Sequence, residues 1–378
     1  MGLGCAEETR WLAIQFKRGS DPVSDRVSMH DQSHILHLLF PMHFRKHLLT
    51  VLLATASAAS LQAGDNEAGS LLLYPDWVLG SGEISFLTVT NTNATEDVAV
   101  EFIYIDAETC LEFNRTTELT PLDTYTAVSF YHNPSHGSGY VYALAKDSVT
   151  GEPISFNYLV GDMEVIVGFT VQANYAMNPY SFQGVGADGS LTDINGNGMR
   201  DMDGTEYSMV PDEIIVPRFW ADTGFDKQAR STGLTLIALS GGSQFSTTVD
   251  FLIFNDNEQA FSSEYTFYCH AKVLLPDVSY LFTRDFLHNH TDDDPDEVHG
   301  FHNSTGWFIL DGAVANSQST SIPDPAVLAH VTHARTLYDQ GEGSRGKGVE
   351  SLSWSSQLPF HRGEQSNGSL LAHTQSGN

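Results

Sequence analysis

Two stretches concentrate the side chains whose types and spacing could do chemistry. The first is Asp193-Ile194-Asn195-Gly196-Asn197-Gly198-Met199-Arg200-Asp201-Met202-Asp203-Gly204-Thr205-Glu206. Calcium takes about six to eight hard oxygen ligands, held on a loop tight enough to make them converge. Asp193, Asn195 and Asn197 supply alternating oxygen donors at relative positions 1, 3 and 5, and Gly198 at position 6 allows a sharp turn. Met199 would give its backbone carbonyl, and Asp201 stands at position 9. Gly204 occupies position 12, so Asp203 or Glu206 must supply the closing carboxylate. The competing reading is a linker without an ion, since Asn, Gly and Asp dominate turns. Only Arg200 offsets the negative charge of this loop, and a divalent cation would relieve the repulsion. The second stretch is His288–His302, which holds four His and five carboxylates. Imidazole and carboxylate together bind zinc, which would suit a metal-dependent hydrolase. No helical pattern is present to hold an H-E-x-x-H geometry, so a solvated, partner-facing acidic loop is the favoured reading.

The Asp193–Glu206 stretch resembles the calcium loops of EF-hands, dockerins and thrombospondin repeats. It departs from them at position 12. The resemblance implies calcium as a cofactor; bound there, the ion would stiffen the connection between the two sandwiches.

Other reactive types are sparse. No G-x-S-x-G, P-loop, G-x-G-x-x-G or C-x-x-C pattern occurs. Ser240-Gly241-Gly242-Ser243 reads as a hairpin turn, and His132 and His136 as loop residues. Cys110 and Cys269 fit two buried core thiols, although an interdomain disulfide is compatible with export. Asn93, Asn114, Asn289, Asn303 and Asn367 carry Asn-x-Ser/Thr sequons, which matter only in a host that glycosylates.

The elements that must position these residues are short strands. Ser70–Tyr74, Ile84–Val89, Val98–Ile105, Tyr125–Phe130, Tyr140–Ala145 and Ile154–Val160 are apolar or alternating runs rich in β-branched and aromatic residues. Turn signals separate them, and no helical period is sustained. This predicts an all-β chain of two tandem antiparallel β-sandwich domains. Four landmarks recur in order: Pro75 and Pro217, Phe102 and Phe251, Pro121 and Pro276, Gly139 and Gly306. Their separations grow from 142 to 149, 155 and 167 residues, so the second copy carries insertions, the largest containing Phe282–Ser304. The plan resembles the Ig-like sandwich units of exported bacterial proteins over roughly 70–165 and 214–333. That resemblance implies a fold and a compartment but no activity.

The N-terminus predicts export. Arg45 and Lys46 precede the apolar run Leu48–Ala59, with cleavage after Ala58 or Ala63. Residues 1–63 thus read as an upstream extension followed by a signal peptide at 42–63, Met42 being the start. Domain 1 follows at 64–170, the linker at 171–213, domain 2 at 214–333, and a tail at 334–378. The tail reads as disordered, with a short docking strand around Trp354 as the alternative. No later apolar run reaches membrane-spanning length.

The chain has 378 residues and a net charge of -29. Such acidity argues against binding nucleic acid or an anionic membrane. The expectation is a secreted, periplasmic or cell-surface protein, non-enzymatic, acting as a structural, adhesive or interaction module with an unidentified protein or glycan partner. A carbohydrate-binding module is the alternative, with Trp77, Trp220, Trp307 and Tyr140 as candidate platforms.

Overall fold

Strands buried on one face alternate apolar and polar residues, whereas strands buried on both faces are apolar throughout. Leu71–Leu73, Phe102–Ile105 and Tyr140–Ala145 are of the second kind, and their surroundings explain the architecture. The computed structural model describes residues 67–80, 83–133, 137–167, 173–221, 228–255, 259–290, 305–338, 349–357, 360–362 and 368–370. They fall within one unit, Ala58–Asn378. The signal-peptide reading, Cys5, His136, Asn303, Asn367 and residues 291–302 of the His/Asp stretch lie outside the described residues.

Among the described residues the fold is all-β, with antiparallel sheets and only short helices. A first lobe contains β1 (Leu71–Gly80), β2 (Glu83–Asn91), β3 (Val98–Asp106), β4 (Glu112–Leu119), β5 (Thr124–Val128), α1 (Ser129–His132), β6 (Gly137–Lys146), β7 (Leu159–Val167), β8 (Ala173–Met177) and β9 (Tyr180–Phe182). β10 (Arg200–Met202) lies in the connection. A second lobe contains β11 (Glu213–Trp220), β12 (Gln228–Ala238), β13 (Ser246–Asn255), β14 (Ala260–Phe267), β15 (His270–Leu274), α2 (Leu275–Val278), α3 (Arg284–Asn289), β16 (Thr305–Asn316), β17 (Ser321–Pro323), β18 (Val327–Tyr338), β19 (Val349–Gln357), β20 (Phe360–Arg362) and β21 (Gly368–Leu370).

In the first lobe the order is β4-β3-β6-β1, with β9 also on β1, and β2-β7-β8, with β5 on β2. The two halves join where β1 meets β2, at Leu79 opposite Ile84 and Gly80 opposite Glu83, and where Gly69 bridges Leu159 at the start of β7. They fold over one core, in which Leu72, Tyr74, Phe102 and Val141 from one half meet Leu87, Val89, Met163 and Tyr175 from the other. The second lobe has the order β14-β13-β16-β11-β20 and β15-β12-β18-β19. Its core joins Val216, Phe219, Phe251 and Phe308 to Leu234, Leu236, Ala329 and Val331.

Register makes three of the four landmark pairs equivalent. β1 shifts register between Tyr74 and Trp77, and β11 shifts between Val216 and Phe219, so each proline sits in a bulge. Phe102 pairs with Ala143, and Phe251 pairs with Leu310. Gly139 lies opposite Trp77, and Gly306 opposite Phe219. A Cβ on Gly139 would stand 1.8 Å from the Ile105 carbonyl oxygen, and one on Gly306 2.5 Å from that of Phe254. Only glycine allows this approach. The fourth pair is not equivalent: Pro121 precedes β5, whereas Pro276 follows β15 inside α2. The insertion that begins there supplies Phe282, whose ring lies 5.1 Å from Phe219 and 5.6 Å from Phe251. It fills the space beside a phenylalanine that stands where the first lobe has the larger Trp77.

Several local expectations are corrected. Ile154–Val160 is not one strand. Ile154–Tyr158 is a tucked-in connection, pinned by the Phe156 N–H donating to Ser70 Oγ at 2.6 Å, and β7 begins at Leu159. β4 escapes an apolar search because it is an edge strand with only Leu119 fully buried. Ser240–Ser243 is not a hairpin, since it crosses from β12 in one sheet to β13 in the other, with Gly241 and Gly242 at φ 85° and 69°. The 334–378 segment is not a bare tail. β18 runs to Tyr338, β19 pairs with β18, β20 with β11 and β21 with β10.

Candidate functional site

The outer face of the first lobe's β3-β6-β1 sheet is not free. Leu71, Leu73, Ile103, Ile105, Tyr142 and Leu144, with Phe182 of β9, pack beneath Met202, Tyr207 and Val210 of the connection, and Ile237, Leu239 and Leu328 of the second lobe join the same cluster. This second layer is why those strands are apolar on both faces.

The connection holds the candidate calcium loop in a defined shape. Asp193 accepts the Asn197 and Gly198 N–H groups at 3.1 and 2.9 Å. Gly196 and Gly198, at φ 69° and 73°, supply the left-handed turns, where a Cβ would be strained. Asn195 and Asn197 both donate their amides to Asp201 Oδ2, at 3.0 and 3.1 Å. Met199 donates its N–H to Asn197 Oδ1 at 2.6 Å. Of the two candidates for the closing ligand, Asp203 is occupied within its own turn, accepting the Thr205 hydroxyl and N–H at 2.6 and 2.8 Å. Glu206 faces the loop. It is 1% exposed, its Oε2 accepts the Asp201 N–H at 3.1 Å, and its Oε1 is buried without a partner. Burial pushes its carboxyl above the usual range, and the neighbouring Asp201 and Asp193 add to the shift. The structure thus links Asp193, Asn195, Asn197, Asp201 and Glu206 around one loop, with their three carboxylates farther apart than the 4.8 Å of a shared-ion cluster, while Asp203 is engaged in its own turn. All five are hard oxygen donors suited to calcium.

A second polar cluster lies between the lobes. The bulge at Pro75 turns Asp76 inward, fully buried, where it meets Lys272 Nζ and accepts the Tyr175 hydroxyl at 2.8 Å. His270 stacks on Tyr140 with its Nε2 3.4 Å from the Pro75 carbonyl. His330 is 0% exposed, and neither ring nitrogen has a hydrogen-bond partner. Burial lowers both imidazoles to about 4. Tyr180 donates its hydroxyl to the Ala329 carbonyl across the same interface. A disulfide joins Cys110 to Cys269 there, with Cα atoms 6.1 Å apart. The expectation of two free thiols is therefore wrong: the two cysteines are not equivalent in the two lobes because they bridge them.

The remaining candidates separate by burial. Trp77 and Tyr140 are core residues. Trp77 donates its indole N–H to the Ile105 carbonyl at 3.2 Å. Trp220 and Trp307 are half-buried; Arg218 lies 4.8 Å over the Trp220 ring, and Trp307 stacks on Phe254 at 4.1 Å. His132 is not a loop residue; it ends α1, buried against Phe102 and Tyr104, with Nδ1 2.8 Å from the Tyr104 hydroxyl. His290 stacks on Phe286 at 4.1 Å, with its Nδ1 2.8 Å from the Phe286 carbonyl.

One group escaped the sequence. Asp212, Asp311 and Asp324 bring carboxylate oxygens within 4.8 Å of one another. Burial raises Asp311 to about 6, and Asp324, Asp212 and Glu213 reinforce the shift. Its only signal in the sequence is an acidic residue directly after the apolar run Trp307–Leu310.

No protein family profile and no curated protein matches the chain. Among solved structures, one similar chain is from Cowpea mosaic virus top component, described as naturally occurring empty particles. It shares 10% identity over 84% of this chain and 99% of that chain, with a TM-score of 0.17. A likeness at that level carries no argument about fold or function.

Proposed function

We propose that this chain is a secreted, non-enzymatic structural or interaction protein, built as a tandem duplication of one Ig-like sandwich unit and stiffened by calcium in its connection. The duplication reading is supported by the matching strand orders, the two proline bulges and the two glycine close approaches. The stiffening reading rests on one observation above the rest. Glu206 is buried with an unpartnered oxygen beside a loop in which Asn195 and Asn197 converge on Asp201. Asp193, Asn195, Asn197, Asp201 and Glu206 would hold the ion, which would neutralise carboxylates that otherwise repel.

This loop precedes Tyr207 and Val210, which pack on the first lobe. Ordering it therefore fixes the segment that leads into β11. The titratable groups at the lobe interface and in the core support a mechanical role. Lys272 and Asp76 tie one lobe to the other, and His132 packs in an aromatic core.

The test is thermal unfolding with calcium and with chelator. At about a hundredfold excess over Kd, an ion that binds only the folded state adds about 2.7 kcal/mol. Glu206→Gln and Asp193→Ala should each reduce that gain. An unchanged unfolding curve on adding calcium, with Asp193→Ala binding as well as wild type, would overturn the reading.

A further inference from the structure

The equivalent sheet faces of the two lobes have opposite chemistry. Register aligns Leu71, Glu101, Ile103, Tyr142 and Leu144 of the first lobe with Glu213, Asp250, Leu252, Ile309 and Asp311 of the second. The first face is covered by the connection, whose Arg200 guanidinium lies 5.3 Å over the Tyr142 ring. On the second face Leu252 is 42% exposed, and an open groove of about 680 Å³ runs between Glu213, Asp250, Leu252, Glu264, Ile309 and Asp311.

One row crosses this sheet at right angles to its strands. Arg362 on β20 pairs with Glu213, Glu213 with Asp311, Asp311 with Asp250, and Asp250 with Glu264. Residues directly opposite on neighbouring strands point to the same face. Four adjacent strands therefore present four carboxylates side by side, an arrangement that is destabilising in itself. Glu213 is met by Arg362. Asp311 keeps a buried oxygen without a hydrogen-bond partner. The first lobe has no such row, because Leu71 and Leu144 stand where Glu213 and Asp311 do, and Glu101 is bridged by Lys146 at 3.0 Å.

We propose that this face of the second lobe docks an extended, arginine- or lysine-bearing segment of another protein, with its cationic side chains opposite Asp311, Asp250 and Glu264 and its apolar ones on Leu252 and Ile309. Charge complementarity selects that occupant. A second copy of this chain is a poor one, since it carries a net charge of -29. The fold supplies its own precedents. The first lobe's face accepts an extended segment that brings Arg200, and β20 brings Arg362 to Glu213. The proposal deepens the interaction-module reading and is independent of calcium in the connection.

The experiment is fluorescence anisotropy of a labelled ten-residue peptide of alternating arginine and valine, titrated with the full chain in calcium-free buffer. Saturable one-to-one binding that weakens with salt is expected, while the alternating glutamate–valine peptide stays free. Asp311→Asn with Glu264→Gln should weaken binding by about tenfold, roughly 1.4 kcal/mol. Removing repulsion, this pair should fold at least as well as wild type, which thermal unfolding checks. Glu108→Gln with Glu152→Gln removes the same charge from exposed sites elsewhere and should change affinity less than about twofold. Equal weakening by both pairs would mean attraction to overall acidity and would overturn the proposal. So would absence of binding, or displacement of the peptide by calcium alone at stoichiometric concentration, which would make the row a cation site. Failure of the calcium titration of the connection leaves this result untouched.

Discussion

The Cys110–Cys269 bridge closes a loop of 159 residues that contains the whole connection and the first part of the second lobe. Replacing both cysteines by alanine frees the unfolded chain while leaving the packed interface of Ile237, Leu239, Leu328 and Tyr140 in place. Loop-closure entropy for that separation corresponds to about 5 kcal/mol at 25 °C. This is a ceiling, because residual contacts in the denatured ensemble already restrict the chain. A loss of about 2–5 kcal/mol is therefore expected from urea denaturation of the oxidised protein and the double alanine variant under identical conditions. The lobes share a core cluster, so the oxidised protein should unfold in one transition. The variant should show an earlier midpoint and, where the lobes part first, two transitions. Thiol titration gives an independent reading: the denatured, unreduced 378-residue chain should release one thiol, Cys5, and the chain without residues 1–63 none. Three reactive thiols, or a stability difference below about 1 kcal/mol, would refute the argument that the bridge constrains the lobes.

Three further outcomes follow from the geometry. His270 and His330 sit near 4 in the folded protein against an ordinary 6.5, so the unfolded chain binds protons first as pH falls. Their contribution is complete above about 6.5 and is lost between there and about 4, on the order of 3 kcal/mol for each imidazole; His330→Gln should flatten that limb of a stability–pH curve, and an unchanged slope would count against it. Gly139→Ala, whose Cβ would meet backbone at 1.8 Å, should cost more than about 3 kcal/mol or prevent folding. Gly189→Ala, at φ 78° with open space around it, should cost only about 1 kcal/mol, and equal losses in denaturant titrations would contradict the close approach as the cause.

The sequence by itself determined the strand class, because short β-branched and aromatic runs between turn residues leave no helical face to bury. It also marked Pro75, Pro217, Gly139 and Gly306 as recurring landmarks and supplied the oxygen-donor types of the Asp193–Glu206 loop, whereas the bulges and the glycine close approaches depend on the partner strands. It marked Ser70–Tyr74 and Tyr140–Ala145 as strands but could not say what covered their second face. Only the tertiary structure decided that the connection does so, that Glu206 rather than Asp203 turns toward the loop, and that Cys110 reaches Cys269. The row of Glu213, Asp311, Asp250 and Glu264 lies on four strands and has no spacing in sequence that would betray it. Pairing register between distant strands places those carboxylates together, and register is set by which faces are buried, a property of the assembled sheets and not of any one segment.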